Sequence, residues 1–403
     1  MSSKFFTRFG IQFYLIVAEL ALSSCGGPKL FRQFITLPNP CSACSVPRPN
    51  VQYLYASLQN SGLIAGYQVD QNDFKILTPI PGSPFLAARG TYGLALHPNL
   101  RFLYAANYND RANVITGYAL VGETGVLKSI GRFRAGRGPA EMTFHPSGRF
   151  LYVANWRSSG NISAFRVDQE SGALSEIDGT PYKAGHGPRG ITLDPNGRFL
   201  FVANTQSHSI SVFELDGSTG KPTPVPGSPF TGNGLKNPQG FAVVSGGERL
   251  LVSNTSPTEI VLSMFSISKI DGSLTPFEQS PFRFTGRCQA GCGLSHLGWA
   301  DLDTFQIFGS KEGVVFNGFF DPLGRPGLLA GVLVAPPGTS YLNDMVLNDP
   351  TRGFILSSEG NAISAIWNEE GSAGAMASKV SGIIPSKFRT DAGKLVLTPV
   401  FTP

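Results

Sequence analysis

Six side chains stand where chemistry is possible. Tyr92, Glu141, Arg189, Gln239 and His296 each lie at the start of an apolar run, and Arg157 lies just past the end of one. A guanidinium and a carboxylate brought together can hold a polar or anionic ligand. With a base at hand they can do more: a carboxylate or imidazole takes a proton from water, and a guanidinium stabilises a developing oxyanion. The patterns of other chemistries are missing from the sequence. There is no Ser-His-Asp spacing, no GxxxxGK[ST] loop, no HExxH and no calcium-loop spacing of acids. The remaining histidines fall at turns: His97 and His145 occupy tight corners and His208 a strand turn, all read as solvated or capping residues, while His186 directly precedes an apolar run.

The candidate residues recur because the elements that carry them recur. FLYAAN at 102–107 returns as FLYVAN at 150–155 and FLFVAN at 199–204, with fainter copies at 53–57, 250–254, 305–310 and 354–358. Measured at the last residue, the steps are 50, 48, 49, 50, 56 and 48. A fixed period of this size means one unit copied around a ring or along a solenoid. In the clearest unit, 187–230, the run GPRGITLD leads into the corner PNGR. Pro presets φ there and Gly supplies φ > 0, so the corner is a hairpin. FLFVAN then reads as a strand buried on both faces, and ISVFELD alternates as a half-exposed strand does. A weaker strand ends in PGSPF, a cassette repeated as GSPF at 82–85, GTPY at 179–182 and QSPF at 279–282, its aromatic residue set to pack between units.

Each unit is therefore four short antiparallel strands, and such units arranged in a ring make a β-propeller. Seven second-strand copies predict an all-β, seven-bladed propeller of four-stranded blades. The stretch 386–400 reads as one more first and second strand, which leaves eight blades as the alternative. Because the repeats begin on a second strand, closure by pairing of a C-terminal strand with the N-terminal blade is expected. The six candidate residues then gather at the mouth of the central channel.

Of 403 residues only 15% are charged, and the net charge of +5 is spread out, with no basic run of the kind that binds nucleic acid. The N-terminus differs in character. Lys4 and Arg8 precede an apolar core at 11–22 and the small-residue ending LSSC, which is the build of an export signal. That ending resembles the bacterial lipobox, from which Glu19 inside the apolar core departs. The resemblance implies that Cys25 carries the lipid and, with Gly26 following it, that the chain is anchored in the cell envelope at the outer membrane. The expected organisation is a signal at 1–25, a Pro- and Ser-containing tether at 26–50, and the propeller at 51–403. Four cysteines remain: Cys41, Cys44, Cys288 and Cys292. In an exported chain an even count reads as two disulfides; a four-thiolate zinc site is the sharper alternative, which the imperfect CxxC and CxxxC spacing disfavours. No metal and no cofactor are expected.

The strings GPAEMTFHPSGRFLYVAN and GPRGITLDPNGRFLFVANTQSHSISVF, within 138–221, resemble the lactonase-type seven-bladed propellers, a group that includes the propeller form of 6-phosphogluconolactonase and the YVTN-repeat proteins. In that family a channel site has a His after a Pro on one inner strand, an Arg in Pro-Arg-His on the next, a Glu in Asn-Glu-Leu and an Arg in Asn-Arg-Gly. Two registers carry parts of it onto this chain. In one, Glu141 matches and Arg157 falls one residue off, while Tyr92-Gly93 and Asn107-Tyr108 replace the other motifs. In the other, Arg189 matches, but Gly190, Thr205 and Ala140 stand at the expected His, Glu and His. Either way the resemblance implies a degenerate site.

The reading is a lipid-anchored binding or scaffold propeller acting through its channel face, with a lactone hydrolase as the alternative. Its expected partners are a protein, a glycan or a small polar ligand, together with the membrane through the lipid; the chain is expected to be monomeric. Intact-mass analysis of the native protein is expected to show loss of 1–24 and acyl mass on Cys25. Retention of Met1 without acyl mass would refute the anchor.

Overall fold

A computed structural model describes residues 52–58, 62–69, 77–108, 113–157, 160–256, 258–285, 294–300, 304–309, 314–320, 325–333, 345–349, 352–357, 362–368, 380–391 and 394–399. Cys25, Cys41, Cys44, Cys288 and Cys292 lie outside them, as do the signal and tether segments. The described strands form seven antiparallel sheets, the seven blades of a β-propeller, which settles the choice between seven and eight. Blade two runs, from its inner strand outward, Thr91–Leu96, Phe102–Asn107, Val114–Val121 and Val126–Arg134. Blades three to five repeat it from the inner strands Pro139–Phe144, Pro188–Leu193 and Pro238–Val244.

Closure differs from expectation. The C-terminal strands Val380–Asp391 and Lys394–Pro399 pair with each other and extend blade seven, so the last strand is a fifth strand there and pairs with no strand of blade one. A two-residue corner between Asp391 and Lys394 explains the outcome, because strands joined so tightly pair locally. Blade one's strand Gln52–Leu58 instead lies against the inner strands of blades two and seven.

The core lies between blades. Every residue of Phe102–Asn107, Phe150–Asn155 and Phe199–Asn204 is buried, because neighbouring sheets cover both faces of each second strand. One cluster joins Phe150, Tyr152 and Ile162 of blade three to Ile191, Leu200 and Phe213 of blade four, and another joins Phe201 and Val212 of blade four to Leu250, Val252 and Phe265 of blade five. The cassette aromatics Phe85, Tyr182, Phe230 and Phe282 belong to these inter-blade clusters. Phe85 is buried and the other three are half-buried; full burial of such a ring stabilises by about 1.5–3 kcal/mol, and the partly exposed rings contribute less. The cassette hydroxyl has its own task. Ser83, Thr180, Ser228 and Ser280 accept from the third-strand N–H groups of Gly66, Ala164, Val212 and Met264 at 2.8–2.9 Å, where the outer strand breaks off. Blade two lacks the cassette, and its outer strand is continuous.

Polar links tie each blade to the next. The phenol of Tyr104 donates to Gly172 O at 2.6 Å and that of Tyr152 to Gly220 O at 2.8 Å. Corner arginines reach the same turns: Arg149 donates to Gly217 O at 2.6 Å, and Arg198 to the carbonyls of Lys269 and Ile270 at 2.9 and 2.7 Å. Blade four carries Phe201 in place of the tyrosine, and there Arg198 makes the link. The corner histidines cap, as expected: His97 Nδ1 accepts Asn99 N–H and His145 Nδ1 accepts Ser147 N–H, both at 3.1 Å. His97 is not solvated, however. It is 1% exposed, and its Nε2 lies 2.8 Å from Gly148 O of the next blade. Gly148 sits at φ 71°, and a Cβ there would come within 2.6 Å of the His97 ring, so the corner requires glycine on both counts.

The most repeated polar device is an asparagine. Asn107, Asn155, Asn204 and Asn254 end the second strands and are fully buried. Asn204 Nδ2 donates to Ser209 Oγ and Ser211 Oγ at 3.1 and 2.9 Å, and its Oδ1 accepts Gly185 N–H at 3.1 Å. Replacing Asn204 with Ala is expected to destabilise the protein by about 2–3 kcal/mol, since it leaves the buried hydroxyl oxygens of Ser209 and Ser211 without the amide that donates to them, whereas Tyr152→Phe is expected to cost only about 1 kcal/mol, the ordinary net value of one hydrogen bond. Chemical denaturation of both variants checks the ordering.

His97 yields a pH dependence. Burial holds its pKa below the ordinary 6.5, with the Gly148 contact opposing, and burial shifts His145 the same way. The folded protein therefore binds fewer protons than the unfolded chain around and below pH 6.5, so stability is lost as pH falls through that range. The melting temperature is expected to drop between pH 7 and pH 5, and to drop less in His97→Gln. An equal drop in the variant would refute the assignment.

Candidate functional site

The inner strands of blades two to six all open with an irregularity in pairing: between Thr91 and Leu94, at Pro139, between Pro188 and Ile191, between Pro238 and Gly240, and between Leu294 and His296. A bulge re-aims side chains where it falls. Here it falls at the channel mouth in every case, so the residues just after each strand start escape the regular alternation. The strands also approach closely. A Cβ at Gly93 would lie 2.4 Å from Ala140 O, and one at Gly190 would lie 2.0 Å from Gln239 O. Glycine at both positions is what lets neighbouring inner strands meet around the mouth.

Arg189 is the centre of what results. It is half-buried on the inner strand of blade four. Its Nε donates to Tyr92 Oη at 3.2 Å, one terminal nitrogen bonds the same hydroxyl, and the other donates to Gln239 Oε1 at 2.7 Å. Gln239 Nε2 in turn donates to Thr255 Oγ1 at 2.5 Å. The guanidinium carbon lies 5.4 Å from the Tyr92 ring centroid and 5.7 Å from that of Trp156. Blades two, three, four and five thus meet on one cation. Burial alone would favour its neutral form, but Tyr92 and the Glu141 carboxylate outweigh burial and raise its pKa, so the charge is permanent. Glu141 is 4% exposed on the inner strand of blade three.

Of the six residues singled out from sequence, the structure joins Tyr92, Arg189 and Gln239 by direct bonds and brings Glu141 within electrostatic reach of Arg189. The Arg157 guanidinium lies 4.8 Å from the Tyr108 ring centroid, and its backbone N–H donates to Arg137 O at 3.0 Å. His296 lies on the inner strand of blade six, paired with Phe308, and its side chain is outside the description. Sequence reasoning passed over Tyr108, Trp156 and Thr255. Their signal was available, because each directly follows the second-strand asparagine or its equivalent in the repeat. Their backbone N–H groups donate to Gly90 O, Gly138 O and Asn237 O, which ties each second-strand end to the start of its own inner strand.

Three of the five guanidinium N–H donors of Arg189 are engaged, which leaves one on each terminal nitrogen with no partner among the described residues. A carboxylate is the natural ligand for such a pair. For hydrolysis the mouth offers Glu141 as a base and Arg189 as the oxyanion partner. No described imidazole joins them: His97 and His145 occupy corners at the opposite end, His186 is exposed, and His208 Nδ1 accepts Asn237 N–H. Among the described residues no group of three or more His, Cys, Asp or Glu is placed to hold a metal ion.

Residues 47–183 and 179–235 match the family model described as "Lactonase, 7-bladed beta-propeller". No curated protein matches the chain by sequence. Among solved structures, a putative 6-phosphogluconolactonase from Bacteroides uniformis superposes with a TM-score of 0.67 at 17% identity, covering 79% of this chain and 92% of that one. The periplasmic gluconolactonase of Pseudomonas aeruginosa gives 0.65 at 14% identity, covering 88% and 99%. A putative 6-phosphogluconolactonase from Bacteroides fragilis gives 0.63 at 13%, covering 87% and 96%. At these identities the likeness is one of fold.

Proposed function

We propose that this chain, a lactonase-type seven-bladed propeller, is a binding module held at the bacterial envelope by a lipid on Cys25, and that its channel mouth takes a small carboxylate-bearing or otherwise anionic ligand. The observation that carries this reading is the state of Arg189: fixed by Tyr92 and Gln239, permanently charged, and left with a donor on each terminal nitrogen. A cation held by its own fold needs no reorganisation to accept an anion, which favours binding. Lactone hydrolysis is the second reading, and the family match together with Glu141 beside Arg189 supports it. General acid–base catalysis contributes about two to four orders of magnitude. A mouth in which Tyr92, Ala140 and Gly190 occupy the positions of the family's site residues forgoes most of that.

Two measurements on the full-length protein separate the readings. Titration with a sugar carboxylate such as gluconate is expected to show binding that Arg189→Ala weakens by about 10–100-fold, the worth of a charge-assisted pair. Assay against a panel of sugar and aromatic lactones is expected to show only slight hydrolysis. Turnover near about 10 per second, typical of enzymes, and abolished by Arg189→Ala would overturn the binding reading in favour of the hydrolase.

A further inference from the structure

We infer that the channel face docks an acidic polysaccharide, a uronate polymer whose end enters the mouth. This deepens the reading of Arg189 given above and rests on it. What it adds is the rim. Arg89, Arg137 and Lys236 stand two residues before the first residue of the inner strands of blades two, three and five, and all are exposed. Arg134 and Lys183 end outer strands, paired with Val114 and Asn161 at the starts of third strands, and are exposed too. All five belong to the same end of the ring as the mouth, because the N–H groups of Tyr108, Trp156 and Thr255 bond the carbonyls of Gly90, Gly138 and Asn237, the residues that follow Arg89, Arg137 and Lys236.

None of these five side chains makes a hydrogen bond or ion pair among the described residues. The described acids at this end are Glu141, which is buried, and Glu259, which pairs with Arg283. The opposite end is built differently. There the third-to-fourth-strand turns carry Asp168, Asp216 and Asp271, and the corners carry Arg149 and Arg198, all engaged in the turns themselves. One face of the ring is thus charge-balanced by structural bonds. The other presents uncommitted cations on blades two, three and five.

Charges spread around a rim exceed what a single small anion can touch, and they suit a repeating anion. Such a face also concentrates polyanions near it and steers them inward. The mouth selects among polyanions. A pyranose uronate offers a carboxylate to the free donors of Arg189, hydroxyls to Gln239 and Thr255, and an apolar ring face to the half-buried rings of Tyr108 and Trp156. An acidic peptide lacks that ring face. A flat layer of lipid headgroups would meet the rim but leave the recessed Arg189 unreached.

The test uses the full-length chain and two probes, galacturonate and a long galacturonate oligomer, in titration calorimetry at low and high salt. The oligomer is expected to bind at least about ten-fold more tightly than the monomer at low salt, with that advantage shrinking as salt screens the rim. The neutral triple variant Arg89→Gln, Arg137→Gln, Lys236→Gln is expected to erase the advantage, weakening the oligomer several-fold more than the monomer. Arg189→Ala is expected to weaken both probes. An oligomer that binds no better than the monomer, or that is indifferent to the rim variant, overturns this inference alone. Equal competition by polyglutamate or by anionic vesicles overturns the choice of a glycan. Failure of both probes to bind overturns the site reading as well.

Discussion

The buried asparagine at the end of the second strand in blades two to five is the contact on which the rest depends. Asn107, Asn155, Asn204 and Asn254 have no exposed surface, so each amide must find its partners inside the protein or cost several times what a hydrogen bond contributes. The partners lie on two other segments. Nδ2 reaches serine or threonine hydroxyls on the third strand, at Thr116, Ser163, Ser211 and Ser263. Where the carbonyl side is engaged, it takes Thr91 Oγ1, or the N–H of Gly185 or Lys236 on the segment leading to the inner strand. A single side chain thus aligns three strands at one end of a blade. The residue after it emerges at the channel mouth with its N–H already bonded to the start of the inner strand. The site inherits its geometry from this constraint.

The opposite end is secured from blade to blade, by tyrosine phenols, corner arginines and, in blade two, His97 reaching into blade three. The mouth positions carry a different set of links, those that Arg189 makes to Tyr92 and Gln239. Tyr92, Ala140, Arg189 and Gln239 occupy one register of the repeat, yet differ in size, charge and hydrogen-bonding capacity. A scaffold that tolerates such variety at one position supports many chemistries, which is why similarity of fold to gluconolactonases does not carry an activity with it.

Blade number, strand count and the buried second strands were legible in the sequence because they follow from local signals repeated many times: Pro-Gly corners, apolar runs and the asparagine that punctuates them. The convergence of Tyr92, Arg189 and Gln239 was legible for the same reason, since equal positions in a ring face one axis; Glu141 stands one position further along its strand, after Ala140. Closure was not legible. The stretch 386–399 has the composition of a first and second strand, and whether such a hairpin joins the blade before it or the blade after it depends on long-range packing that no local pattern encodes. The aromatic wall was missed for another reason. Tyr108 and Trp156 lie just past the repeat's most regular string, where no strand pattern marks them, and it is the bond from each one's N–H to Gly90 O or Gly138 O that places it at the mouth.

Charge shows the same separation of structural from free groups. On the corner face, Asp216 accepts from Ser218 and Thr219 and so shapes its own turn, which holds its carboxyl well below the usual range; Asp168 and Asp271 are lowered by the same kind of bonds. Arg198 there pairs with Glu214 at 2.8 Å while bonding two carbonyls of the next blade. Those charges are accounted for by the fold. Arg89, Arg137 and Lys236 are not: the backbone turns they sit in are set by the Gly or Asn that follows, at φ 75°, 65° and 50°, and any side chain could precede those residues. Repetition of a cation at a position the fold leaves open is a constraint of a different origin, and the recessed guanidinium they surround gives it a direction, toward an anion arriving along the channel axis.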